Sequence, residues 1–513
     1  MIKRNRSNFV AFILFVSIFI SSSCIAKTAL TQKQESCTII DPAVIQLQYQ
    51  LDSLVCAYHN DNFKLGIVAK SVDKNELLYS LNADQAFVPA SNLKLLTSAI
   101  ALQTLGKDFR WNTTFYTDGI IKDSILAGNL IVKTEGDPAI SKSLLDIEVS
   151  ELFKLWSDSL RTKGIAKVSG DLIIDNSAFA QHKIGSAWKD SNKLYAYAAI
   201  PSTFAINENY LQVRITGNRT LNKAPIIEIY PPNKKLKIVN NATTANIKRN
   251  TIRLNRNDDN TIYLSGKIAR NQKISSVISM ANPADYAKDV LFDSFNTNRL
   301  SIAGKSTIID TCITYYNKTE LYNYQSPQLA HIIKRLNKDS NNFIANQVYL
   351  SLGYQLRQSV DESENIIKEY LQLNQIEADS LFLDDGSGLS PINKISPNNL
   401  TDLLVAIHNK PFFSDFFESL TIAGVDGTLK DYMHYYPLYN NFRGKTGTLD
   451  RVRTLSGYVY NHDNELLCFS FFCNDFNGQI KQIDKFKEDF LIILANFERT
   501  IKPNFSEDIV DDI

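Results

Sequence analysis

No C-x-x-C pair, no H-E-x-x-H and no G-x-S-x-G occurs in this sequence. The second absence excludes the common zinc peptidase helix and the third the nucleophile elbow of the α/β-hydrolases. Cysteine is sparse: Cys24, Cys37, Cys56, Cys312, Cys468 and Cys473, with no spacing that suggests zinc. So few thiols in a 513-residue chain suit buried apolar side chains better than a disulfide framework. The six histidines form no cluster, so no metal site is expected. Charge of one sign is also lacking, since 55 Lys and Arg stand against 54 Asp and Glu, a net of +1. A general nucleic-acid binder shows a basic excess, so no nucleic-acid partner is expected. Phosphate loops are missing as well. Gly444-Lys445-Thr446 and Gly304-Lys305-Ser306 resemble their endings, but Tyr439 and Arg299 stand where the first glycine must be. No cofactor is expected.

Long apolar runs are confined to the start. Lys3, Arg4 and Arg6 precede an apolar stretch, Phe9 to Ile20, which has the length of a signal core and is short for a spanning helix. Two endings fit. Residues 1–26 form a signal peptide cleaved after Ala26, or Ser21-Ser22-Ser23-Cys24 is a loose lipoprotein site with Cys24 as the lipidated first residue. An uncleaved anchor is the third and weakest reading. All three place the folded part outside the cytoplasm, and peripheral or lipid-anchored membrane association is open.

What is present divides into three textures. The apolar share, 44%, is that of a globular protein, and the length suggests roughly three domains. Asp41-Pro42 opens a helix marked by Val44, Leu47, Leu51, Leu54 and Tyr58. Leu65 to Val72 and Glu76 to Leu81 read as paired strands. Ser91 then opens an almost wholly apolar helix through Leu105, which Gly106 ends. From 108 to 318, helical periodicity is scarce, and short β-type runs alternate with Asn, Asp and Gly turns. Helices resume after Ser326-Pro327. A hairpin over 454–472 and a last helix over 480–497 follow, and 501–513 is an acidic tail. The expected organisation is a core domain made of 27–107 and 319–500, split by inserted, mainly β domains over 108–318.

S-x-x-K occurs at Ser71/Lys74, Ser91/Lys94 and Ser186/Lys189. Acyl-transfer chemistry needs a lysine amine held beside the serine hydroxyl, and residues three apart share one helix face. Only Ser91 opens a buried helix. There Lys94 lies one turn on, in surroundings that disfavour its charge and make it a candidate base. Alone, the motif is better explained by a simple helix cap. Ser340-Asn341-Asn342, an S-x-N, falls in a polar loop between two helices, although S-x-N also occurs at Ser294 and Ser396. Lys445-Thr446-Gly447 is the one K-T-G, with Thr448 after it, just ahead of the hairpin. Lys and Thr there offer a charge and a hydroxyl suited to a carboxylate, and the glycine admits a ligand backbone.

The three motifs, in this order and these contexts, resemble the penicillin-recognising serine enzymes, and in particular the class C low-molecular-mass penicillin-binding proteins, the D-alanyl-D-alanine carboxypeptidases/endopeptidases. Asp385-Gly386-Ser387-Gly388-Leu389-Ser390, the Ala423 to Leu429 string and Gly136-Asp137-Pro138 add to the likeness, as do the roughly 250 positions between Ser91 and Ser340. The resemblance implies an α/β fold: a β-lactamase/transpeptidase-like domain, an antiparallel sheet flanked by helices, split by a large, mainly β insertion. It implies an acyl-enzyme on peptidoglycan stem peptides and acylation by β-lactam antibiotics such as penicillin. Ser91 would be the nucleophile, Lys94 its base and Ser340 the proton relay. Asn342 would bind the substrate amide and Thr446 the terminal carboxylate, Lys445 would help hold the site's electrostatics, and the N–H groups of Ser91 and Thr448, beside Gly447, would receive the oxyanion. It implies an exported, periplasmic enzyme. Asn341, in a position often occupied by Asp, is a departure expected to matter little. The rivals are a serine β-lactamase, for which Glu369 to Asn374 is a near-miss E-x-x-L-N, and a catalytically silent binding protein on the same fold.

Overall fold

Six strands lie side by side in the order Glu76–Leu81, Lys64–Ser71, Leu466–Asn474, Val452–Tyr460, Arg443–Leu449, Thr421–Ile422, and every neighbouring pair is antiparallel. The structure is a computed structural model, described here for residues 41–58, 63–180 and 182–499. The expected signal segment, Cys24, Cys37 and the acidic tail lie outside these residues. The two chain ends of the core thus meet in one sheet: the first hairpin is completed by strands from beyond residue 440.

The central strand Leu466–Asn474 explains how the sheet is buried on both faces. Successive side chains of a strand point to opposite sides. Leu467, Phe469, Phe471 and Cys473 face the helices Pro42–Tyr58 and Ile480–Ala495. Leu466, Cys468 and Phe472 face the group that includes Leu93–Thr104, Leu329–Lys338, Asn342–Arg357 and Pro397–His408. Each such fully buried Leu or Phe contributes about 1.5–3 kcal/mol. A strand sandwiched in this way must be apolar at consecutive positions rather than at alternate ones. Helix Leu93–Thr104 is buried on every side from Leu93 to Leu102, which is why its sequence is mostly apolar, with Lys94, Thr97 and Ser98 as the polar exceptions.

The segment between the halves of the core builds sheets of its own. Asn112–Thr117 and Thr319–Gln325 pair antiparallel, so the chain enters and leaves this region through neighbouring strands. They belong to a five-stranded sheet with Leu130–Thr134, Leu172–Asp175 and Ser306–Ile309. The expected β texture is present, but helical periodicity is less scarce than the sequence reading holds. Val149–Thr162 buries Leu152, Phe153, Trp156 and Leu160. Its start is fixed by reciprocal hydrogen bonds between Glu148 and Glu151. Pro283–Thr297 is a second helix, with proline in its first turn.

Of the described cysteines, Cys468 and Cys473 are buried as expected, whereas Cys56 and Cys312 are exposed; all four are free thiols. Cys56 lies on the outer face of the first helix and Cys312 in the loop after Ile309. Among the described residues no helix is long and apolar enough to cross a membrane, and no group of side chains is arranged to hold a metal ion.

Candidate active site

The three motifs meet in one cleft of about 1220 Å³, lined by Ser91, Ser340, Asn342, Thr446 and Thr448. Ser91 sits in the 3₁₀ turn Ala90–Asn92 that leads into helix Leu93–Thr104. The turn is pinned to the sheet. The Asn92 amide donates to Ser456 Oγ at 2.7 Å, and Thr454 Oγ1 donates to the Pro89 carbonyl at 2.8 Å. Ala90 adopts a left-handed φ of 45°, a conformation that non-glycine residues hold only where their surroundings enforce it.

Lys94 is fully buried. Its Nζ stands 3.0 Å from Ser91 Oγ, 2.7 Å from Asn342 Oδ1 and 2.6 Å from the Ser387 carbonyl. Burial holds its pKa well below that of an ordinary lysine; the neighbouring Lys445 adds to the depression, and Asp385 opposes it. All three neighbours are oxygens, so an ammonium would donate to all three, whereas a neutral amine would give its two hydrogens to the carbonyls and turn its lone pair to the Ser91 hydroxyl.

Lys445, Thr446 and Gly447 lie on strand Arg443–Leu449, as expected for K-T-G. Lys445 is buried, with a pKa pushed down to about 7 by loss of solvent, and it donates to the Thr446 carbonyl at 2.9 Å. Thr446 Oγ1 is 3.1 Å from Thr428 Oγ1. A Cβ on Gly447 would fall 2.0 Å from Thr454 Oγ1 and 2.9 Å from the Pro89 carbonyl, so glycine lets the strand close on the turn that carries Ser91. Ser340 has a left-handed φ of 55° between helices Leu329–Lys338 and Asn342–Arg357. Asn342 donates to the Tyr197 carbonyl at 2.8 Å.

The other serines are accounted for. The Ser71 hydroxyl is buried and bonded to Glu465, and Lys74 reaches it only through its backbone N–H. Ser186 bonds to Asp384, while Lys189 points away to Asp450 at 3.4 Å. Ser294 lies inside a helix, and Ser396 caps one. Glu369 is held by Arg357 on a helix surface and lies outside the cleft lining.

Sequence reasoning misses two contributors. Asp385 is buried and accepts from the N–H groups of Ser387, Gly388 and Ser390, the Asn393 amide and the Trp188 indole, at 2.6–3.0 Å. It thereby shapes the loop that presents the Ser387 carbonyl to Lys94. The Asp385 to Ser390 string is visible in the sequence, but its partner is not. The second contributor is the wall formed by Lys189, Asn192 and Tyr197, from the stretch between the two parts of the core sheet, and its one motif residue, Lys189 of the Ser186/Lys189 match, gives no sign of a place in the cleft.

The profile of the D-Ala-D-Ala carboxypeptidase 3 (S13) family matches residues 47–490. The chain belongs to this family. Among its curated relatives, the D-alanyl-D-alanine carboxypeptidase DacB of Haemophilus influenzae is 26% identical over 427 residues, covering 80% of this chain and 86% of that protein. A D-alanyl-D-alanine carboxypeptidase of an Actinomadura species is 28% identical over 438 residues, covering 80% and 78%. The crystal structure of penicillin binding protein 4 from Haemophilus influenzae superposes with a TM-score of 0.75 at 23% identity, covering 86% of this chain and 99% of that one. An S13 member is a hydrolase of the carboxypeptidase class, and this chain has that fold.

Proposed function

We propose that the chain works as a serine D-alanyl-D-alanine carboxypeptidase/endopeptidase on peptidoglycan stem peptides, with Ser91 as nucleophile. One observation carries this reading: a buried Lys94, its pKa held well below that of an ordinary lysine, with Nζ 3.0 Å from Ser91 Oγ. As Ser91 Oγ attacks the carbonyl of the penultimate D-alanine, its proton passes to Lys94. The N–H groups of Ser91 and Thr448 receive the oxyanion, each donor of this kind being worth about 10²–10³ in rate. The intermediate collapses as Ser340 relays that proton from Lys94 to the departing D-alanine amine, which returns Lys94 to its neutral form. Water then attacks the ester with Lys94 again as base, returning Ser91 and releasing the shortened peptide. Thr446 holds the terminal carboxylate, Lys445 helps set the electrostatics of the site, and Asn342 holds the substrate amide.

A β-lactam ring opened by Ser91 leaves its amine tethered in the cleft, so the ester persists, and penicillin is expected to titrate the site. We also propose that 108–318 is a module inserted into the core formed by 27–107 and 319–500. It supplies one wall of the cleft and leaves catalysis to the core. The charged start and short apolar core of residues 1–26 support export to the periplasm, and the mature protein should begin at Cys24 or just after Ala26. Its N-terminal mass decides between these, and an intact Met1 on cell-extracted protein would refute export. The reaction itself is tested with a peptide ending in D-alanyl-D-alanine, as free acid and as amide. The parent should release D-alanine from the acid with a clear preference over the amide. Thr446→Val should lose that preference, and an unchanged ratio would remove Thr446 from carboxylate binding.

A further inference from the structure

The Ser340-Asn341-Asn342 motif is gripped from outside the core. The middle residue, which the sequence reading treats as a position of little consequence, is the point of contact. Asn341 Oδ1 accepts from the Ile344 N–H at 2.9 Å and caps helix Asn342–Arg357. That bond fixes the orientation of the amide, so its NH₂ must face the other way, where it donates to Glu208 Oε2 at 2.6 Å. Glu208 belongs to the inserted segment, is nearly fully buried and forms no ion pair among the described residues. Its other oxygen accepts from the Ser143 hydroxyl at 2.5 Å.

The backbone that delivers this carboxylate is unusual. Asn207, Glu208 and Asn209 have φ values of 49°, 53° and 54°, three consecutive non-glycine residues in the left-handed region. Such a run persists only where surrounding bonds over-determine it. Here Asn207 N donates to the Ile140 carbonyl at 2.8 Å, the Asn207 amide to the Tyr210 carbonyl at 2.9 Å, and the Asn209 amide to the Ile200 carbonyl at 2.8 Å. The same stretch of chain grips the motif's helix twice more. The Tyr197 carbonyl takes the Asn342 amide, and Ser202 and Gly136 bond to Gln347 at 3.0 Å.

We propose that Glu208 is a positioning residue of the acyl-transfer site: its carboxylate orients Asn341 and thereby holds Ser340 and Asn342 at the cleft. The inference rests on the reading of the cleft as an acyl-transfer site. The chemistry at position 341 is directional. A carboxylate at 208 requires a donor at 341, so Asn341→Asp would set two carboxylates against each other, and at least one would have to take up a proton. Glu208→Gln alone can keep the contact, with its oxygen turned to the Asn341 NH₂ and its own NH₂ to the Ser143 hydroxyl, which also accepts, whereas Asn341 cannot turn over without giving up its cap on Ile344. Making both changes together restores a donor–acceptor pair, with the new amide donating to the new carboxylate, and still leaves an oxygen for Ser143.

The test is a reciprocal cycle on the full chain: Asn341→Asp, Glu208→Gln and both together. Pre-steady-state acylation by penicillin is followed under conditions where each variant is folded. Burst amplitude reads the fraction of competent enzyme, and the rate constant at saturation reads positioning. Asn341→Asp should lower the rate constant about tenfold at full amplitude, the scale of one buried hydrogen bond to a charged group, while Glu208→Gln alone stays within about threefold of the parent. The double variant should also return to within about threefold of the parent. Asn341→Asp at the parental rate, a loss confined to the amplitude, or a double variant no faster than Asn341→Asp would each overturn the proposal. Any of these leaves the acyl-transfer reading intact. A parent that takes up no penicillin would sink that reading, and the positioning role with it.

Discussion

For Lys94 to act as the proposed base its amine has to be neutral, and two features of the cleft favour that state. Burial strips Lys94 of the water that would stabilise its charge, and Lys445 makes a second positive charge close by unfavourable. The direction of the pH dependence follows. Acylation needs neutral Lys94, so its rate should fall on the acid side as pH drops through the depressed pKa. Lys445 itself titrates near about 7 and is charged below that. Removing it in Lys445→Met takes away a repulsion, so the Lys94 pKa rises and the acid limb moves to higher pH. A limb that stays in place or moves to lower pH would mean the two lysines are not coupled as described. Of this arrangement, the sequence shows the Ser91/Lys94 pair and the apolar helix that buries it. It does not show Asn342 and the Ser387 carbonyl as the acceptors for the amine, because both are hundreds of residues away and only the fold brings them in.

At the scale of elements, the site is the seam between one helix and one strand. Helix Leu93–Thr104 and strand Arg443–Leu449 approach closely only because Gly447 has no side chain, and the Thr454 bond to the Pro89 carbonyl runs through the space a Cβ would fill. Gly447→Ala must therefore push the strand away from the turn, which separates the Thr448 N–H from that of Ser91. Acylation should fall by about 10²-fold, the scale of one lost oxyanion donor, while the thermal midpoint moves little. A parental acylation rate in this variant would show that the two N–H groups do not act together. The elements themselves are largely legible. The Glu76–Leu81 strand, the Ser91 helix and the C-terminal hairpin follow from period and turn residues alone. The helices Val149–Thr162 and Pro283–Thr297 carry real start signals, the Glu148/Glu151 pair and Pro283. Both stand among so many Asn-rich β runs that local texture masks them.

For the whole molecule, the sequence order of the motifs is simple and their meeting place is not. The six-stranded sheet draws its strands from both ends of the described chain, and pairing across several hundred residues leaves no local trace. The inserted segment is recognisable by its texture, but its part in the cleft through Tyr197 and Lys189 is not, since no spacing relates these residues to Ser91. One serine, Ser91, is the proposed nucleophile of this assembled site. Mass spectrometry of the full chain after exposure to penicillin, with the adduct mapped by peptide digestion, is the decisive measurement. A single adduct is expected on the peptide containing Ser91 and none on Ser91→Ala protein. An adduct on Ser71, Ser186 or Ser340, or full labelling of Ser91→Ala, would contradict it.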